Sequence, residues 1–337
     1  MARYLVTGGA GFIGSHIVER LVGLGESVVV LDNLSTGTLS NLAPWLESVT
    51  FVQGDIRHLP MVREACVGAD YVLHQAALPS VPRSVKDPIA SNDANVNGTL
   101  NVLVAARDAG VRRVVYAGSS SAYGDTPTLP KREDMPARPL SPYAISKYTG
   151  ELYCQVFATL YGLETVVLRY FNVFGPRQDP TSDYAAVIPK FIMALQQGTR
   201  PVIYGDGEQS RDFTYIANVV EANLLACQAQ GAAGEVINIA CGKRTSLNQL
   251  MRVLGRIAHS HLEAVHGKAR AGDVKDSLAD VAKAHRLLGY SPAVSLEEGL
   301  ALTSEYYARL SAQRAPCPPS AGLSAGSAGR CVGVKPR

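Results

Sequence analysis

The sequence lacks any long hydrophobic run and any strong excess of charge of one sign. No apolar stretch approaches the ~18 to 20 residues that span a bilayer, so no membrane partner is expected. Charged side chains make up 18% of the chain, and the formal net charge is +3. Residues 312–337 hold four bases and no acid, and without them the chain carries 28 bases against 29 acids. A folded part so close to neutral gives no reason to expect a nucleic-acid partner.

Paired cysteines and a secretion signal are also missing. The six cysteines are scattered and no two have CxxC spacing, which argues against a zinc site or a redox pair and predicts no bound metal. The N-terminus leads directly into a strand-like segment at Tyr4 and lacks the long apolar region and cleavage site of a signal peptide. We therefore expect a cytoplasmic protein without structural disulfides.

Short β-branched and apolar runs alternate with helical patterns through the first half of the chain. Strands are predicted at Arg3–Thr7, Ser27–Leu31, Val49–Gln53, Tyr71–His74, Arg113–Ala117 and Glu164–Arg169. Helices are predicted at Phe12–Leu24, Met61–Cys66, Ile89–Ala109 and Ser141–Tyr161. This βαβ alternation predicts an α/β fold with a Rossmann-type, doubly wound parallel sheet.

The alternation stops near residue 172, which divides the chain into unequal parts. We expect a large N-terminal domain at 1–171, joined by a returning strand near 236–240, and a smaller α/β lobe at 172–311. Residues 312–337 are rich in Ala, Ser, Gly and Pro and are predicted to be disordered. Helices are predicted in the lobe at Val187–Gln197, Val219–Gln230, Ser246–His259, Ala279–Leu288 and Leu296–Leu310.

Three glycines at the first strand–helix turn predict a dinucleotide-binding site. Gly8, Gly11 and Gly14 follow a predicted strand and open a predicted helix. Gly8 permits the tight turn, Gly11 lets the backbone approach a pyrophosphate, and Gly14 allows close packing of helix on strand. The helix N-terminus adds N–H groups and a partial positive charge, which favour a phosphate.

Asp32 ends the next strand, 18 residues after Gly14, and predicts which dinucleotide binds. A carboxylate at this position accepts hydrogen bonds from the adenosine ribose and repels a 2′-phosphate. The next four residues, 33–36, offer no base to hold that phosphate. The sequence therefore predicts NAD rather than NADP, bound by the domain at 1–171, while the lobe at 172–311 binds mainly the substrate.

Two further turns follow strands at the same edge of the predicted sheet. Asp55 can hold the adenine amino group while Ile56 packs on the adenine ring. Gln75, Ala76 and Ala77 follow the fourth strand, and the small residues there let the backbone approach the dinucleotide.

Tyr143 and Lys147 predict hydride chemistry. They are four residues apart in a predicted helix, so their side chains share one face. A free tyrosine has a pKa of ~10. A neighbouring ammonium, together with the positive ring of oxidised nicotinamide, stabilises the phenolate and lowers that pKa. Tyr143 can then act as a general base toward a substrate hydroxyl, while Lys147 also reaches the nicotinamide ribose.

Three serines at the end of the fifth strand supply a further hydroxyl. Ser119, Ser120 and Ser121 lie at the edge of the sheet where the cofactor is expected. A hydroxyl there can relay a proton or hold the reacting oxygen. The residues themselves leave open which of the three has that role.

Together these motifs resemble the extended short-chain dehydrogenase/reductase family over about residues 2–310. Within that family the chain is most similar to the UDP-N-acetylglucosamine 4-epimerases and the UDP-glucose 4-epimerases. The resemblance implies reversible inversion at C4′ of a UDP-hexose through a 4-keto sugar, with tightly bound NAD. It rests on the segments TGGAGFIG, LDNLSTG, GDIR, HQAALPSVPRS, SSSAYG, SPYAISK, LRYFNVFGPRQDP, YGDGEQSRDF and RAGDVKDSLADVAKA.

The resemblance also implies roles for individual residues. It makes Ser119, Tyr143 and Lys147 catalytic, and it makes Arg211 and Arg270 a clamp on the diphosphate, a role that suits guanidinium geometry. Further cofactor contacts are implied at Phe12, Ile13, Asn33, Ser35, Thr36, Gly37 and Phe171. Substrate contacts are implied at Ser80, Ser119, Ser121, Tyr143, Asn172, Val187, Tyr204, Arg211, Arg270 and Ser277.

Ser277 bears on the choice of sugar. It aligns with a position where a bulky aromatic residue resembles epimerases restricted to glucose and galactose forms, and a small residue resembles those that admit an N-acetyl group. Serine therefore favours UDP-GlcNAc and UDP-GalNAc as substrates, with UDP-Glc and UDP-Gal also open.

Three alternatives and an assembly state follow from the same resemblance. A nucleotide-sugar 4,6-dehydratase typically has Asp-Glu where this chain has Ser120 and Ser121. A decarboxylase needs a site for the uronic carboxylate, for which Arg83 is the nearby candidate, and a non-catalytic NAD sensor has no use for a Tyr/Lys pair. The helices at Ile89–Ala109 and Ser141–Tyr161 are candidates for the four-helix interface of a homodimer.

Overall fold

The computed structural model describes residues 1–180, 186–268 and 275–314. Its strands are β1 (Arg3–Thr7), β2 (Ser27–Asp32), β3 (Thr50–Gln53), β4 (Tyr71–His74), β5 (Arg113–Ser119), β6 (Glu164–Tyr170), β7 (Val173–Phe174), β8 (Val202–Tyr204), β9 (Ser210–Arg211), β10 (Thr214–Tyr215), β11 (Val236–Ile239), β12 (Thr245–Ser246) and β13 (Val265–Gly267). Its helices are α1 (Phe12–Gly23), α2 (Leu59–Cys66), α3 (Val81–Lys86), α4 (Pro88–Asn92), α5 (Gly98–Asp108), α6 (Pro142–Tyr161), α7 (Val187–Gln196), α8 (Ile216–Gln228), α9 (Leu247–Ile257), α10 (Ala282–Leu288) and α11 (Leu296–Arg314).

Seven parallel strands form the central sheet, in the order β11-β6-β5-β4-β1-β2-β3. This confirms the predicted α/β fold with a Rossmann-type sheet. The chain proceeds outward from β1 to β2 and β3, then returns to β4 on the other side, so the direction of winding changes between β1 and β4. Such a switch point opens a crevice at the carboxyl ends of the strands, where ligands bind.

Side chains of β1 alternate between the two faces of the sheet. Tyr4 and Val6 pack in one apolar cluster with α1 and α8, whereas Leu5 packs in a second cluster with α2, α5 and α6. Both faces are therefore covered by helices, which explains why the strands are continuous apolar runs instead of alternating patterns.

The C-terminal lobe shares its core with one face of the main sheet. Phe174, Ile188, Leu250 and Leu300 belong to the same buried cluster as Tyr4. Strand β11 pairs in parallel with β6, at the position where the sequence predicts a returning strand. The lobe adds three two-stranded sheets, formed by β7 with β10, β8 with β13 and β9 with β12.

Element boundaries differ from the predicted ones where the backbone is locally irregular. The predicted helix Ile89–Ala109 is interrupted by a π-helical turn at Asp93–Asn97, between α4 and α5. Helix α11 continues to Arg314, so the prediction of disorder from residue 312 is wrong for its first three residues. No Gly or Pro interrupts the chain there before Pro316. The rest of that predicted tail, 315–337, lies outside the described residues. No helix in the described ranges has the length and hydrophobicity to span a bilayer.

A buried ion pair fixes α6 to β6. Glu151 of α6 and Arg169 of β6 are each 4% exposed, and the guanidinium donates to the carboxylate through Nε at 2.9 Å. The guanidinium also stacks at 4.6 Å over the ring of Tyr123. Because α6 carries Tyr143 and Lys147, this ion pair contributes to the position of the predicted catalytic face.

Replacing Glu151 with alanine is expected to lower the free energy of unfolding by about 3–5 kcal/mol, because Arg169 would keep an unpaired buried charge. Urea unfolding followed by circular dichroism measures the change. The control is Asp134→Ala, which removes an exposed ion pair with Arg132 and should leave the midpoint near that of the wild type. Equal midpoints for the two variants would contradict the structural role of Glu151.

Candidate functional site

One continuous cleft of about 1420 Å³ runs along the carboxyl ends of the parallel strands. It contains most of the residues that the sequence predicts for the cofactor and the reacting sugar. From the predicted set it is lined by Gly8, Gly11, Phe12, Ile13, Gly14, Asp32, Asn33, Ser35, Thr36, Asp55, Ile56, Gln75, Ala76, Ala77, Ser80, Ser119, Ser121, Tyr143, Asn172, Arg211 and Ser277.

The glycine turn at the start of α1 is shaped for close backbone approach. Gly8 has φ of +69°, and a Cβ there would lie 2.7 Å from the Ala76 amide nitrogen. A Cβ on Gly14 would lie 2.7 Å from the Cα of Gly9, so α1 could not start so close to β1. Within the described residues no side chain caps α1. Its first N–H groups and partial positive charge therefore suit the pyrophosphate of a dinucleotide.

Asp32 ends β2 and is 7% exposed. Its carboxylate accepts hydrogen bonds from the Ala10 amide at 2.9 Å and from the Leu34 amide at 2.8 Å. Burial raises the pKa of Asp32, and these two backbone donors oppose that shift. The carboxylate is thus oriented at the cleft wall, where it can accept from ribose hydroxyls and disfavour a phosphate.

A polar chain continues this wall beyond β3. Asn33 donates to Asp55 at 2.7 Å, and Arg57 forms an ion pair with Asp55 at 2.8 Å. Hydrogen bonds from Arg57 hold the pKa of Asp55 well below its usual range. The neighbouring Ile56 packs against Gly98 at the start of α5. An ionised Asp55 beside an apolar Ile56 matches the amino group and the ring face of an adenine.

A buried, neutral histidine, His74, fixes the end of β4. His74 is hydrogen-bonded to Thr7 at 2.7 Å and to Thr99 at 3.0 Å, and burial lowers its pKa to about 3. The following Gln75 donates to Asn223 at 3.1 Å. Residues 75–77 are therefore held firmly against the glycine turn.

Ser119, Tyr143 and Lys147 come together where β5 meets α6. The Ser119 hydroxyl lies 2.8 Å from the Ser121 hydroxyl and accepts from the Ser121 amide at 3.2 Å. Lys147 is 5% exposed. Its Nζ donates to the Ala117 carbonyl at 2.9 Å and lies 5.0 Å from the centroid of the Tyr116 ring.

The charges of this group differ from the sequence-based expectation. Burial raises the pKa of Tyr143, and a hydrogen bond with Ser119 partly opposes that shift. Burial also lowers the pKa of Lys147 to about 8. Lys147 is directed at the Ala117 carbonyl, so its ammonium does not lower the phenol pKa in the way we predicted. The phenolate needs a further positive charge at its side to form near neutral pH.

Ser84 and Asn95 are buried residues that were not predicted, and both contact the N-terminal part of α6. Ser84 of α3 accepts a hydrogen bond from the Tyr143 amide at 3.0 Å. Ser141 caps the same helix by accepting from the Ala144 amide at 3.1 Å. Asn95, in the π-helical turn, donates to Ser146 at 3.0 Å. Asn95 is a polar residue inside the predicted helix Ile89–Ala109, whereas Ser84 lies outside the predicted helices and carried no such signal.

A smaller pocket of about 270 Å³ adjoins the cleft and shares Asn172 and Arg211 with it. It brings these two residues together with the predicted Val187 and Tyr204. Asn172 has φ of 28°, an unusual backbone conformation that ends the segment after β6. The Arg211 guanidinium donates to the carbonyls of Ser210 and Lys275 at 2.8 and 3.1 Å, which fixes its direction.

Phe171, Gly37 and Lys147 were predicted as cofactor contacts but do not line the cleft. Phe171 is fully buried and packs 6.1 Å from the Tyr123 ring, so its side chain does not line the cleft; the preceding Tyr170 does. Gly37 lies behind the glycine turn, where a Cβ would meet Ala10 at 2.7 Å. Arg270 lies outside the described residues.

Several lining residues were not among the predicted site residues. Tyr170 is the last residue of β6 and donates to Gln75 at 3.3 Å, and its position at a strand end could have revealed it. Arg177, Tyr306 and Tyr307 reach the cleft from distant parts of the chain. Across the described residues no cluster of three His, Cys, Asp or Glu side chains is arranged to hold a metal ion.

Comparison with known proteins gives consistent matches. The chain is 42% identical over 298 residues to a putative UDP-glucose 4-epimerase of Methanocaldococcus jannaschii, covering 88% of this chain and 95% of that protein. A UDP-glucose 4-epimerase of Thermotoga maritima with UDP-glucose is 41% identical, with a TM-score of 0.87 and coverage of 91% and 99%. A UDP-N-acetylglucosamine 4-epimerase of Methanobrevibacter ruminantium, in complex with UDP-N-acetylmuramic acid, is also 41% identical, with a TM-score of 0.88 and coverage of 92% and 99%.

Proteins of related activities are similar at a lower level. A UDP-N-acetyl-alpha-D-glucosaminuronate decarboxylase of Bacillus cytotoxicus and the structure of a dTDP-glucose 4,6-dehydratase of Streptomyces venezuelae are each 34% identical to the chain. The family model for NAD dependent epimerases and dehydratases matches residues 4–240. With the glycine turn, Asp32 and Tyr143 lining one cleft, the chain belongs to the NAD dependent epimerase/dehydratase family.

Proposed function

We propose that the protein interconverts UDP-hexoses at C4′, with UDP-GlcNAc and UDP-GalNAc as the first pair and UDP-Glc and UDP-Gal as the second. One observation carries the proposal: Ser119 and Tyr143 line the same cleft as the glycine turn, and that cleft shares Asn172 and Arg211 with a second pocket. A cofactor, a base and a site for an anionic nucleotide therefore adjoin. The relatives named as 4-epimerases support this reaction.

The domain at 1–171 holds NAD in this proposal. The glycine turn and the N-terminus of α1 bind its pyrophosphate, Asp32 binds the adenosine ribose, and Asp55 with Ile56 binds the adenine. When bound there, NAD would supply the acceptor for the C4′ hydride, and its oxidised ring would supply the positive charge that the Tyr143 phenolate needs. The glycine turn fits this group because a Cβ at Gly8 or Gly14 would meet the backbone of Ala76 or Gly9 at 2.7 Å, so a larger residue would displace the turn.

Tyr143 and Ser119 handle the proton. Tyr143 takes the proton of the 4′-hydroxyl, and Ser119, hydrogen-bonded to Ser121, holds the reacting oxygen in line. Lys147 orients the base from behind, because its bond to Ala117 ties α6 to β5. If the hydride is returned to the opposite face of C4′ and Tyr143 gives its proton back to the 4′-oxygen, C4′ is inverted without net oxidation.

The lobe at 172–311 anchors the UDP moiety. Arg211 has a fixed guanidinium that suits a diphosphate oxygen, and Asn172, Val187 and Tyr204 enclose the pocket beside it. A firmly bound nucleotide lets the keto sugar swing about the diphosphate and present its other face. We retain Arg270 as the second clamp on the strength of the family resemblance.

Ser277 supports the N-acetylated pair. It lines the cleft, and its amide donates to the Ser210 carbonyl at 3.1 Å, which extends the edge of β9. A small side chain on a fixed backbone leaves space at this wall for an acetamido group. Ser120 and Ser121 provide no acid–base pair for a dehydratase, and Arg83 at the cleft mouth is the feature that a decarboxylase would use.

We also propose a homodimer formed through α6 and its neighbours. Ile145, Leu152, Val156 and Leu160 are 52%, 43%, 44% and 70% exposed and form a stripe along one side of α6. Ile89 of α4, which packs beside α6, is 80% exposed. Such a contiguous apolar face suits an isologous contact with a second copy. The cytoplasmic location is part of the proposal and rests on the sequence alone.

Incubation with UDP-GlcNAc is expected to give UDP-GalNAc, identified by proton NMR, with no added NAD if the cofactor is retained. Ser277→Tyr should lower turnover of UDP-GlcNAc while sparing UDP-Glc, because the larger ring fills the space for the acetamido group. A 4-keto-6-deoxy product would identify a dehydratase, and release of carbon dioxide from a UDP-uronic acid a decarboxylase. If no UDP-sugar were turned over, the result would favour the alternative that the protein is a non-catalytic NAD sensor.

Tyr143→Phe is expected to lower kcat by about 10²- to 10⁴-fold, because the general base is lost while the shape of the site is kept. NAD content, measured from the absorbance of the denatured protein's supernatant, should not change. Tyr148→Phe, on the same helix, is the matched control and should keep full activity. Undiminished turnover in Tyr143→Phe would refute the assignment of the base.

In size-exclusion chromatography with multi-angle light scattering, the measured molar mass of the wild-type protein is expected to be twice that of one chain. Leu152→Glu places a charge at the centre of the α6 stripe and should give the monomer, because burial of an unpaired carboxylate opposes association. Leu302→Glu, at a 41% exposed position on α11, is the control. A monomeric wild type, or a dimer unaffected by Leu152→Glu, would contradict this interface.

A further inference from the structure

Arg177 lies beside the cofactor half of the cleft, and the proposed reaction gives it no role. Its side chain is 14% exposed and lines the cleft. Its φ is 64°, a conformation that residues other than glycine rarely adopt and that persists where the surroundings fix it.

The guanidinium of Arg177 holds the first turns of α1. It donates to the Ser15 hydroxyl at 3.3 Å and forms an ion pair with Glu19. The preceding Pro176 carbonyl is bonded to the His16 ring at 3.0 Å. Hydrogen bonds from His16 and Arg177 keep the pKa of Glu19 below its ordinary range, so this carboxylate is charged. The segment after β7 is thus fastened to the helix whose N-terminus faces the pyrophosphate.

The same guanidinium also contacts the segment at 35–48, part of which lines the cleft. Its central carbon lies 4.8 Å from the centroid of the Trp45 ring, a cation–π contact. Trp45 follows Ser40 and Asn41, which line the cofactor cleft. Asn41 donates to the Ala10 carbonyl in the glycine turn at 2.9 Å. The segment at 35–48 is therefore attached to the glycine turn at one point and to Arg177 at another.

The segment that carries Arg177 is itself anchored to helix α11. The Tyr307 hydroxyl of α11 donates to the Gln178 carbonyl. Gln178 and Tyr307 both line the cleft. Arg177 consequently joins an anchored segment of the lobe to the segment at 35–48, and these two segments flank the cofactor half of the cleft.

We infer that Arg177 is a latch that retains NAD by tying α1, the Trp45 segment and the lobe together beside the cofactor. Retention suits the chemistry, because a redox-neutral cycle regenerates oxidised NAD in place and has no need to exchange it. The inference rests on the cofactor half of the proposed function and not on which sugar is turned over. Arg177 acts here as a positioning residue that raises the barrier to opening.

The test is the rate at which NAD leaves. Wild-type protein loaded with radiolabelled NAD is chased with excess unlabelled NAD, without sugar nucleotide, and bound label is followed by rapid filtration. Arg177→Met should release label about tenfold faster, the change expected for one lost charge-assisted hydrogen bond. Trp45→Leu should accelerate release in the same direction without altering the strained backbone at 177.

Additivity separates a latch from two unrelated effects. Because Trp45 acts through Arg177, the double variant should release NAD no faster than Arg177→Met alone. Arg200→Met is the matched control: Arg200 also ties segments together, by donating to the Glu263 and Ala264 carbonyls in the lobe, and its loss should leave release unchanged.

Three outcomes would overturn the latch. In the first, Arg177→Met and Trp45→Leu release labelled NAD at the wild-type rate. In the second, the wild type itself loses its label within the dead time of filtration. In the third, Arg200→Met accelerates NAD release as much as Arg177→Met does. If the epimerase assignment were wrong, turnover by the wild type would be absent while the release rates kept the predicted order. The two proposals therefore fail in distinguishable ways.

Discussion

The burial of Lys147 at the junction of β5 and α6 is the constraint on which the site depends. An ammonium removed from water must be compensated, and here the Ala117 carbonyl and the face of Tyr116 provide that compensation. These contacts fix the rotation of α6 on the sheet. That rotation in turn brings Tyr143, one turn earlier, to the hydroxyl of Ser119. A burial that lowers the pKa of the lysine thus sets the geometry of the base.

Local motifs could be predicted from the sequence because their physics is local. The glycine turn, Asp32 at a strand end and the four-residue spacing of Tyr143 and Lys147 each need only one strand–helix unit to acquire meaning. The choice between Phe171 and Tyr170 was missed because successive residues point to opposite sides of an extended chain. The turn that presents Asn95 was missed because hydrophobic periodicity does not record one inserted residue.

Contacts between distant segments could not be predicted from the sequence, for a different reason. Arg177 meets Ser15 across 162 residues of chain and Trp45 from another element, and no pattern near Arg177 announces either partner. The direction of Lys147 was missed because it depends on the carbonyl of a neighbouring strand. The sequence therefore indicated which residue types line the cleft. Their electrostatic environment could be described only once the packed structure was known.

Retention of the cofactor and movement of the sugar impose opposite demands on one cleft. In the cofactor half, the glycine turn packs closely on Ala76 and the buried His74 is hydrogen-bonded to Thr7 and Thr99, which holds the walls in place. In the proposed function, the sugar lies near Ser277, whose small side chain stands on a backbone bonded to Ser210, so the sugar has space to rotate. Because the two halves meet at Ser119 and Tyr143, the base can stay in place while the sugar turns. If the whole cleft bound its ligands loosely, NAD would be lost. If the whole cleft held the sugar tightly, the hydride would return to the face of C4′ from which it came.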